Sequence, residues 1–271
     1  MLHAVYKRKR RNWNLGAEQS AEQGGDPYQG SEDLLAASVL CRLSYLPDEA
    51  LWAVFRCAVV ANHAIPESLG ALEDISFWPK WRMSEACGRN RIEPDAFLTF
   101  EHGYVLIEAK RYDGIELHNP VQLAWEWVAA QEQEDVDPSL PIFVLALGGC
   151  KSLTTETAKK LEEQVTATVR LIAPECQAEL PRLWLCSWQR ILAAVLEYRA
   201  TLEAGPVGRI CDDIVLALAL HGTFHVRWLA ELTSLTRAVL IAAPTRVPWE
   251  ERVQALLPID ISGYISARKD R

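Results

Sequence analysis

The sequence feature that most constrains the fold is a short apolar run from Ile142 to Leu147, Ile-Phe-Val-Leu-Ala-Leu. A strand with one face in water alternates apolar and polar residues, so a run without alternation predicts a strand buried on both faces. Helices are predicted on either side of it in the chain, at Asn119–Gln133 and Thr154–Ile172. We therefore expect an α/β fold in which helices cover both faces of a small mixed β-sheet.

A β-hairpin is predicted upstream of this run. Its strands are Ile92–Phe100 and Tyr104–Lys110, and Glu101-His102-Gly103 between them supplies a turn. Prolines around Phe77, Trp78 and Trp81 leave regular structure in that segment unassigned. Four further elements complete the central region: a helix that starts with Ser31 as its N-cap, a helix at Ala50–Ala61, a strand at Leu183–Cys186 and a helix at Trp188–Ala200.

The chain divides into three predicted regions. Residues 1–30 lack hydrophobic periodicity and carry the basic cluster Lys7–Arg11, which predicts a flexible arm. This arm either clamps a phosphate backbone or is a solvated terminus. Residues 31–200 form the expected main domain. Gly205-Pro206 then interrupts the chain, and residues 201–271 read as a helical C-terminal extension that either docks a partner or completes the core.

Charge and composition limit the function classes. The formal net charge is −8, whereas proteins that coat nucleic acid are usually basic, so contact with a polyanion must be focal or must rely on metal ions or a partner. Seven scattered cysteines without a CxxC pair are typical of a reduced, cytoplasmic protein. No apolar run approaches a bilayer-spanning length, and no secretory signal is predicted, so we expect no membrane association.

The hairpin brings together the residues with the clearest chemical potential. Asp95 and Glu108 are thirteen positions apart, and a turn at residues 101–103 folds them back toward each other. Side chains alternate along a strand, so Glu108 and Lys110 share a face. Two carboxylates make a hard-oxygen site suited to Mg²⁺. The alternative is a surface hairpin whose charges only face water, although burying unpaired charge on central strands is costly.

Pro94-Asp95, twelve intervening residues and then Glu108-Ala109-Lys110 resemble the active-site signature of the PD-(D/E)xK nuclease superfamily. The resemblance covers roughly residues 31 to 150. Whether it continues to residue 200 stays open. It implies the restriction-endonuclease-like αβββαβ core.

The resemblance also implies roles for individual residues. Asp95, Glu108 and the Ala109 carbonyl would hold Mg²⁺, with Mn²⁺ as a substitute, and Lys110 would serve the attacking water. Glu32 is the best match for a carboxylate from the preceding helix, and Gln122 for a glutamine on the following one. A tryptophan, Trp125 or Trp127, stands near Gln122 where one branch of the superfamily has a tyrosine.

The function expected from this pattern is metal-dependent hydrolysis of DNA phosphodiester bonds in a bacterial defence or repair system. The family's habits imply DNA as substrate, a homo-oligomer or complex, and a targeting or motor subunit as partner. Two alternatives remain: a catalytically inactive nuclease fold that acts as a binding or assembly subunit, and a hydrolase of another phosphate ester.

Weaker candidates have simpler explanations. Gly148-Gly149-Cys150-Lys151-Ser152 follows a strand and faintly resembles a phosphate loop, but an ordinary strand-to-helix turn with an N-cap at Ser152 or Thr154 explains it equally. His221 and His225 have the i,i+4 spacing of metal ligands, but an incidental spacing is favoured over metal binding. Several tryptophans could stack on a base, although core packing is favoured for most of them: Trp78, Trp81, Trp125 and Trp127.

Overall fold

The computed structural model describes residues 32–82, 91–174 and 180–224, which belong to one compact unit. The Ser31 cap, the basic arm and the chain beyond residue 224 lie outside the described residues. The described part contains six helices and five strands. They are α1 (Glu32–Leu43), α2 (Asp48–Ala58), β1 (Leu72–Phe77), β2 (Ala96–Phe100), β3 (Gly103–Ala109), α3 (Pro120–Gln131), β4 (Ile142–Leu147), α4 (Thr155–Ile172), β5 (Arg182–Cys186), α5 (Trp188–Ala200) and α6 (Pro206–Leu220).

The five strands form one mixed sheet in the order β1-β2-β3-β4-β5. β1, β2 and β3 form an antiparallel meander, whereas β3, β4 and β5 run parallel to one another. Parallel strands need a crossover connection, and α3 and α4 provide these connections. All six residues of β4 are buried. The predicted α/β fold with a mixed sheet is therefore confirmed, as is the burial of the apolar run on both faces.

Alternate side chains of β3 enter two separate apolar layers. Val105, Ile107 and Ala109 belong to the layer that α1, α2, α5 and α6 cover. Tyr104 and Leu106 belong to the opposite layer, beneath α3 and α4. Because strand side chains alternate, Glu108 lies on the same side as Leu106 and faces α3. The sheet therefore directs the candidate carboxylate toward the helix that carries Gln122.

Helix α6 is part of the main core. It packs against α1 and α5, and its apolar face, including Cys211, Ile214 and Leu218, is fully buried. Of the two interpretations of the C-terminal extension, core completion therefore applies to the segment 206–220. The predicted helix at Val226–Leu235 and His225 lie outside the described residues. No helix in the described ranges is both long enough and apolar enough to cross a membrane.

Three segments differ from the sequence expectations. The helix predicted at Ala50–Ala61 spans Asp48–Ala58, because Val59 is extended and Val60 bridges to Leu185. The first hairpin strand begins at Ala96 and not at Ile92, since Ile92 forms only an isolated bridge to Trp81. Pro94 has no N–H to donate to a ladder, which is consistent with a strand that starts after it. Strand β1 was not predicted, because much of Leu-Glu-Asp-Ile-Ser-Phe faces solvent at the sheet edge and carries little hydrophobic signal.

Helix starts follow the local capping signals. Thr154 Oγ1 accepts a hydrogen bond from the Thr157 N–H and caps α4, and Ser187 Oγ caps α5 in the same way. Asn119 caps α3, where Pro120 occupies the first helical position. The predicted helix Trp188–Ala200 has the same limits in the structure.

Candidate active site

The hairpin register places Asp95 opposite Glu108. Ala96 pairs with Ile107 at the end of the β2–β3 ladder, so the next pair outward is Asp95 and Glu108. The Asp95 carboxylate accepts a hydrogen bond from the Ala109 N–H at 2.8 Å and another from Trp78 Nε1 at 3.0 Å. These two donors fix Asp95 against the carboxyl end of β3.

Glu108 is held by two side-chain donors. Lys110 Nζ and Gln122 Nε2 both donate to Glu108 Oε1, each at 2.6 Å. Lys110 Nζ also lies 3.5 Å from Glu32 Oε1, and Glu32 Oε2 accepts the N–H of Arg111 at 2.9 Å. The structure therefore brings all of the side chains singled out in the sequence into one cluster at the end of β3, where Ala109 contributes its backbone. That cluster comprises Glu32, Asp95, Glu108, Lys110 and Gln122.

One member of the cluster was missed by sequence reasoning. Glu126 lies one helical turn after Gln122 and accepts a hydrogen bond from Gln122 Nε2 at 2.8 Å. Its side chain is 2% exposed, and its Oε2 has no hydrogen-bond partner within the described part of the chain. A signal was available, since Glu126 is the one charged residue in the apolar sequence of α3.

Burial dominates the electrostatics of the carboxyl groups. Burial, reinforced by the charge of Glu108, raises the pKa of Asp95 to about 7. Burial also raises the pKa of Glu108, against the opposing effects of Lys110 and Gln122. Burial and the Glu108 charge together raise the pKa of Glu126 well above its ordinary value. The protein environment thus favours protons, or another positive charge, on this group of acids.

Lys110 remains an ammonium despite partial burial. Burial opposes its charge, but the Glu108 and Glu32 carboxylates outweigh burial, and the net effect raises the pKa of Lys110. Lys110 therefore enters any reaction at neutral pH as a cation that can orient a water molecule or stabilise negative charge.

The donor set fits a hard divalent cation. Mg²⁺ is bound through one or two carboxylates and keeps several of its waters. Each Asp95 oxygen accepts one hydrogen bond and keeps a second lone pair, while both donors to Glu108 use Oε1. Asp95, Glu108 and Glu126 are buried in the same cluster as one ammonium, and a cation could take the place of the protons that their raised pKa values favour. Within the described ranges, no three His, Cys, Asp or Glu side chains form a ready-made metal cluster.

The glycine pair after β4 packs against Lys110. A Cβ on Gly148 would lie 2.0 Å from the Lys110 carbonyl oxygen, and one on Gly149 would lie 2.6 Å from Lys110 Cβ. Both residues have positive φ, +67° and +57°. Close approach and backbone conformation account for these glycines, and Thr154 caps the next helix. The turn interpretation of this segment is therefore the better one.

Two further residues position the segment after Lys110. The Asp113 carboxylate accepts the N–H groups of Trp188 and Gln189, both at 3.1 Å, at the start of α5. Trp188 Nε1 donates to the Lys110 carbonyl at 2.8 Å. His118 contacts the Gly148 carbonyl through Nε2, and burial lowers the pKa of His118 to about 4, so it is neutral at pH 7. These contacts tie Lys110 to β4 and α5.

The tryptophans near the site are mainly core residues. Trp78 and Trp127 are completely buried, Trp81 is buried and Trp125 is half-buried. The favoured core interpretation is confirmed for the first three. Trp78 also has a polar function, because its indole N–H holds Asp95.

Fold and site together define an α/β protein with a five-stranded mixed sheet and a buried carboxylate–lysine cluster at the end of its central strand. The chain is 32% identical over 238 residues to a protein of Pasteurella multocida (strain Pm70) described as the uncharacterized protein PM0110, and the match covers 86% of each chain. The chain belongs to the same family as that protein. No protein-family model and no solved structure matches this chain.

Proposed function

We propose that the protein is a metal-dependent nuclease of the PD-(D/E)xK superfamily that hydrolyses DNA phosphodiester bonds. The observation that carries the proposal is the convergence of Asp95, Glu108 and Lys110 in one cluster at the end of β3. The element order supports it, because a helix, an antiparallel three-stranded meander, a helix and a parallel strand are what the resemblance implies for the core.

Each residue has a role in this proposal. Asp95, Glu108 and the Ala109 carbonyl hold Mg²⁺ or Mn²⁺, which supplies Lewis-acid polarisation of the phosphodiester. The Lys110 ammonium orients the attacking water and stabilises charge that develops on the phosphate. Glu32 is a second carboxylate near this ammonium, with Oε1 3.5 Å from Nζ, and Gln122 fixes the Glu108 carboxylate by donating to Oε1.

The net charge of −8 also shapes the proposal. A molecule of this charge repels a DNA backbone at long range, so productive contact depends on the cation site and on local basic groups. We therefore propose that a targeting or motor subunit delivers the DNA, as the resemblance implies for a defence or repair system.

Cleavage of supercoiled and linear DNA in Mg²⁺, Mn²⁺ or EDTA tests the proposal. Asp95→Ala and Lys110→Ala should each lower the rate by about 10²–10³-fold, because each removes a group that binds the cation or stabilises transition-state charge. Lys159→Ala is the matched control, since Lys159 is an exposed lysine on α4 whose partner is Glu163. Circular dichroism establishes that every variant is folded.

The outcomes separate the possibilities. Metal-dependent cleavage that both site variants lose and the control retains supports the nuclease, and nicked circles indicate an endonuclease. Cleavage that survives in both folded site variants means that the assigned site is wrong.

A second candidate function is an inactive nuclease fold that serves as an assembly subunit. The observation in its favour is that protein donors already occupy Asp95 and Glu108: the Trp78, Ala109, Lys110 and Gln122 groups. In that case the wild-type protein neither cleaves DNA nor binds Mn²⁺, and Lys110→Ala leaves complex formation with a partner protein unchanged.

A further inference from the structure

Burial of the Glu126 carboxyl group lowers the stability of the fold, and packing does not explain why a glutamate lies there. Glu126 has 2% of its surface exposed and lies on a helix face whose neighbours Leu123 and Trp127 enter the apolar layer beneath α3. One of its oxygens, Oε2, has no hydrogen-bond partner within the described ranges. A buried carboxyl group with an unsatisfied oxygen costs free energy that an apolar side chain of similar size would not.

Glu126 is connected to the candidate site by a hydrogen bond from Gln122, which also donates to Glu108. Gln122 Nε2 carries two hydrogens, and two carboxylate oxygens receive them: Glu108 Oε1 at 2.6 Å and Glu126 Oε1 at 2.8 Å. The i,i+4 spacing places Gln122 and Glu126 on one face of α3, which is the face toward Glu108. The amide nitrogen therefore bridges two glutamates that come from different elements.

This bridge fixes the orientation of the amide. An unconstrained glutamine can rotate its amide and present either oxygen or nitrogen to a neighbour. With Glu126 as an acceptor on the same nitrogen, rotation would turn the Gln122 oxygen toward the Glu108 carboxylate and lose both of the hydrogen bonds that Nε2 donates. Gln122 thus acts as a donor to Glu108 and not as an oxygen ligand.

We propose that Glu126 is a positioning residue, which acts through the Gln122 amide to hold the Glu108 carboxylate in the orientation that binds the divalent cation. This inference rests on the proposed function, since it assigns Glu108 to a cation. Glu126 is not assigned as a ligand of the cation, since its hydrogen bond goes to Gln122. Its effect should appear as cation affinity, because groups that orient a metal ligand typically change affinity by about 10–100-fold.

Mn²⁺ binding to the full chain, measured by electron paramagnetic resonance, tests the inference without relying on activity. Glu126→Met removes the acceptor and keeps the volume, so affinity should fall by about 10-fold or more. Glu126→Gln retains an oxygen that can accept from Gln122, so affinity should stay within about 3-fold of the wild-type value. Glu163→Met, which replaces an exposed glutamate on α4, is the control for the Glu-to-Met substitution itself.

Thermal unfolding in EDTA distinguishes positioning from a structural role. Because Glu126→Met replaces a buried carboxyl group by an apolar side chain, we expect its melting temperature to equal or exceed the wild-type value. A variant that is at least as stable but binds Mn²⁺ more weakly identifies a residue that serves the site. Lower stability with unchanged Mn²⁺ affinity would overturn the inference.

A double-mutant cycle tests whether Glu126 affects Mn²⁺ binding through Gln122. Gln122 is half-buried, so Gln122→Ala should fold and should itself weaken Mn²⁺ binding. If Glu126 acts through Gln122, adding Glu126→Met to Gln122→Ala causes no further loss. Independent, additive losses would overturn the inference while leaving the nuclease proposal intact. Absence of Mn²⁺ binding by the wild-type protein would instead remove the metal on which both proposals depend.

Discussion

At the scale of single residues, Asp95 shows how the fold controls protonation. Burial and the neighbouring Glu108 charge raise its pKa to about 7, and the Ala109 N–H, the Trp78 indole and Lys110 oppose this rise without cancelling it. The folded protein therefore binds the Asp95 proton more tightly than the unfolded chain, in which the pKa of an aspartate is about 3.9.

The pH dependence of stability follows from this difference. Without metal, the stabilisation from the Asp95 proton is complete below about pH 4 and is lost as the pH rises through about 7. Urea unfolding in EDTA should give a lower free energy of unfolding at about pH 8 than at about pH 5. Asp95→Asn cannot titrate, so it should show a shallower decline, with Glu108 and Glu126 responsible for the remainder. Parallel declines in both proteins would contradict the assignment.

Gly148 offers a second test at the residue scale. Gly148→Ala places a Cβ 2.0 Å from the Lys110 carbonyl oxygen and 2.8 Å from Trp188 Nε1, at a φ of +67°. Gly114→Ala is its matched control, because Gly114 has a φ of +78° and open space around it. Left-handed backbone costs about 1–2 kcal/mol in either variant. Urea unfolding should show a clearly larger loss for Gly148→Ala, and equal losses would mean that the close approach to Lys110 has no energetic consequence.

At the scale of elements, the sequence predicted regular structure where local and tertiary signals agree. Helix α5 combines a Ser187 cap with a buried stripe of Ile191, Leu192 and Val195, and its limits were predicted correctly. Strand β4 was predicted because burial on both faces leaves an apolar run. Strand β1 was missed because tertiary pairing with β2, and not its own composition, makes it a strand.

The candidate site shows the same division between local and tertiary signals. Asp95, Glu108 and Lys110 are brought together by one hairpin, so their proximity follows from local chain geometry. The isolation of Glu126 among apolar residues signals its burial, but its contact with Gln122 next to Glu108 depends on how α3 docks on the sheet, which no local pattern specifies. A charged residue in a helix is ordinarily assigned to the solvent face, whereas Glu126 lies on the buried one.

Asp113 links two elements and leads to a prediction at this scale. Its carboxylate accepts the first two N–H groups of α5 and so joins the segment after β3 to that helix. Asp113→Ala should cost about 1–2 kcal/mol of stability in urea unfolding, as for the loss of a helix cap. Because Trp188 also holds the Lys110 carbonyl, the same variant should lower DNA cleavage.

Thr154→Ala provides the control for Asp113. Thr154 caps α4 through the Thr157 N–H, so its loss should cost a similar free energy. It makes no contact with Lys110 in the structure, so cleavage by the folded variant should be unchanged. An equal loss of cleavage in both variants would show that stability, and not the position of Lys110, limits activity.

At the scale of the whole molecule, the balance between net charge and local charge decides whether the proposed DNA substrate can bind. The chain carries 36 acidic and 28 basic residues, and the candidate site itself holds the acids Glu32, Asp95, Glu108 and Glu126 and a single lysine, Lys110. Phosphate contacts normally come from lysine and arginine, and the resulting affinity falls with added salt. An acidic site can accept a phosphate only after a cation has reversed its local charge.

Binding of a fluorescent DNA duplex in Ca²⁺ and in EDTA tests this conclusion. Fluorescence anisotropy should show binding by the wild-type protein in Ca²⁺ and a loss of at least about 10-fold in affinity in EDTA, because the phosphate then meets uncompensated carboxylates. Asp95→Asn should lose most of this dependence on Ca²⁺, since it weakens the site that holds the cation. The exposed-site variant Lys159→Ala should retain the dependence in full. Equal affinity in Ca²⁺ and EDTA would place the DNA contacts away from the cluster and would assign recognition to another surface of the protein.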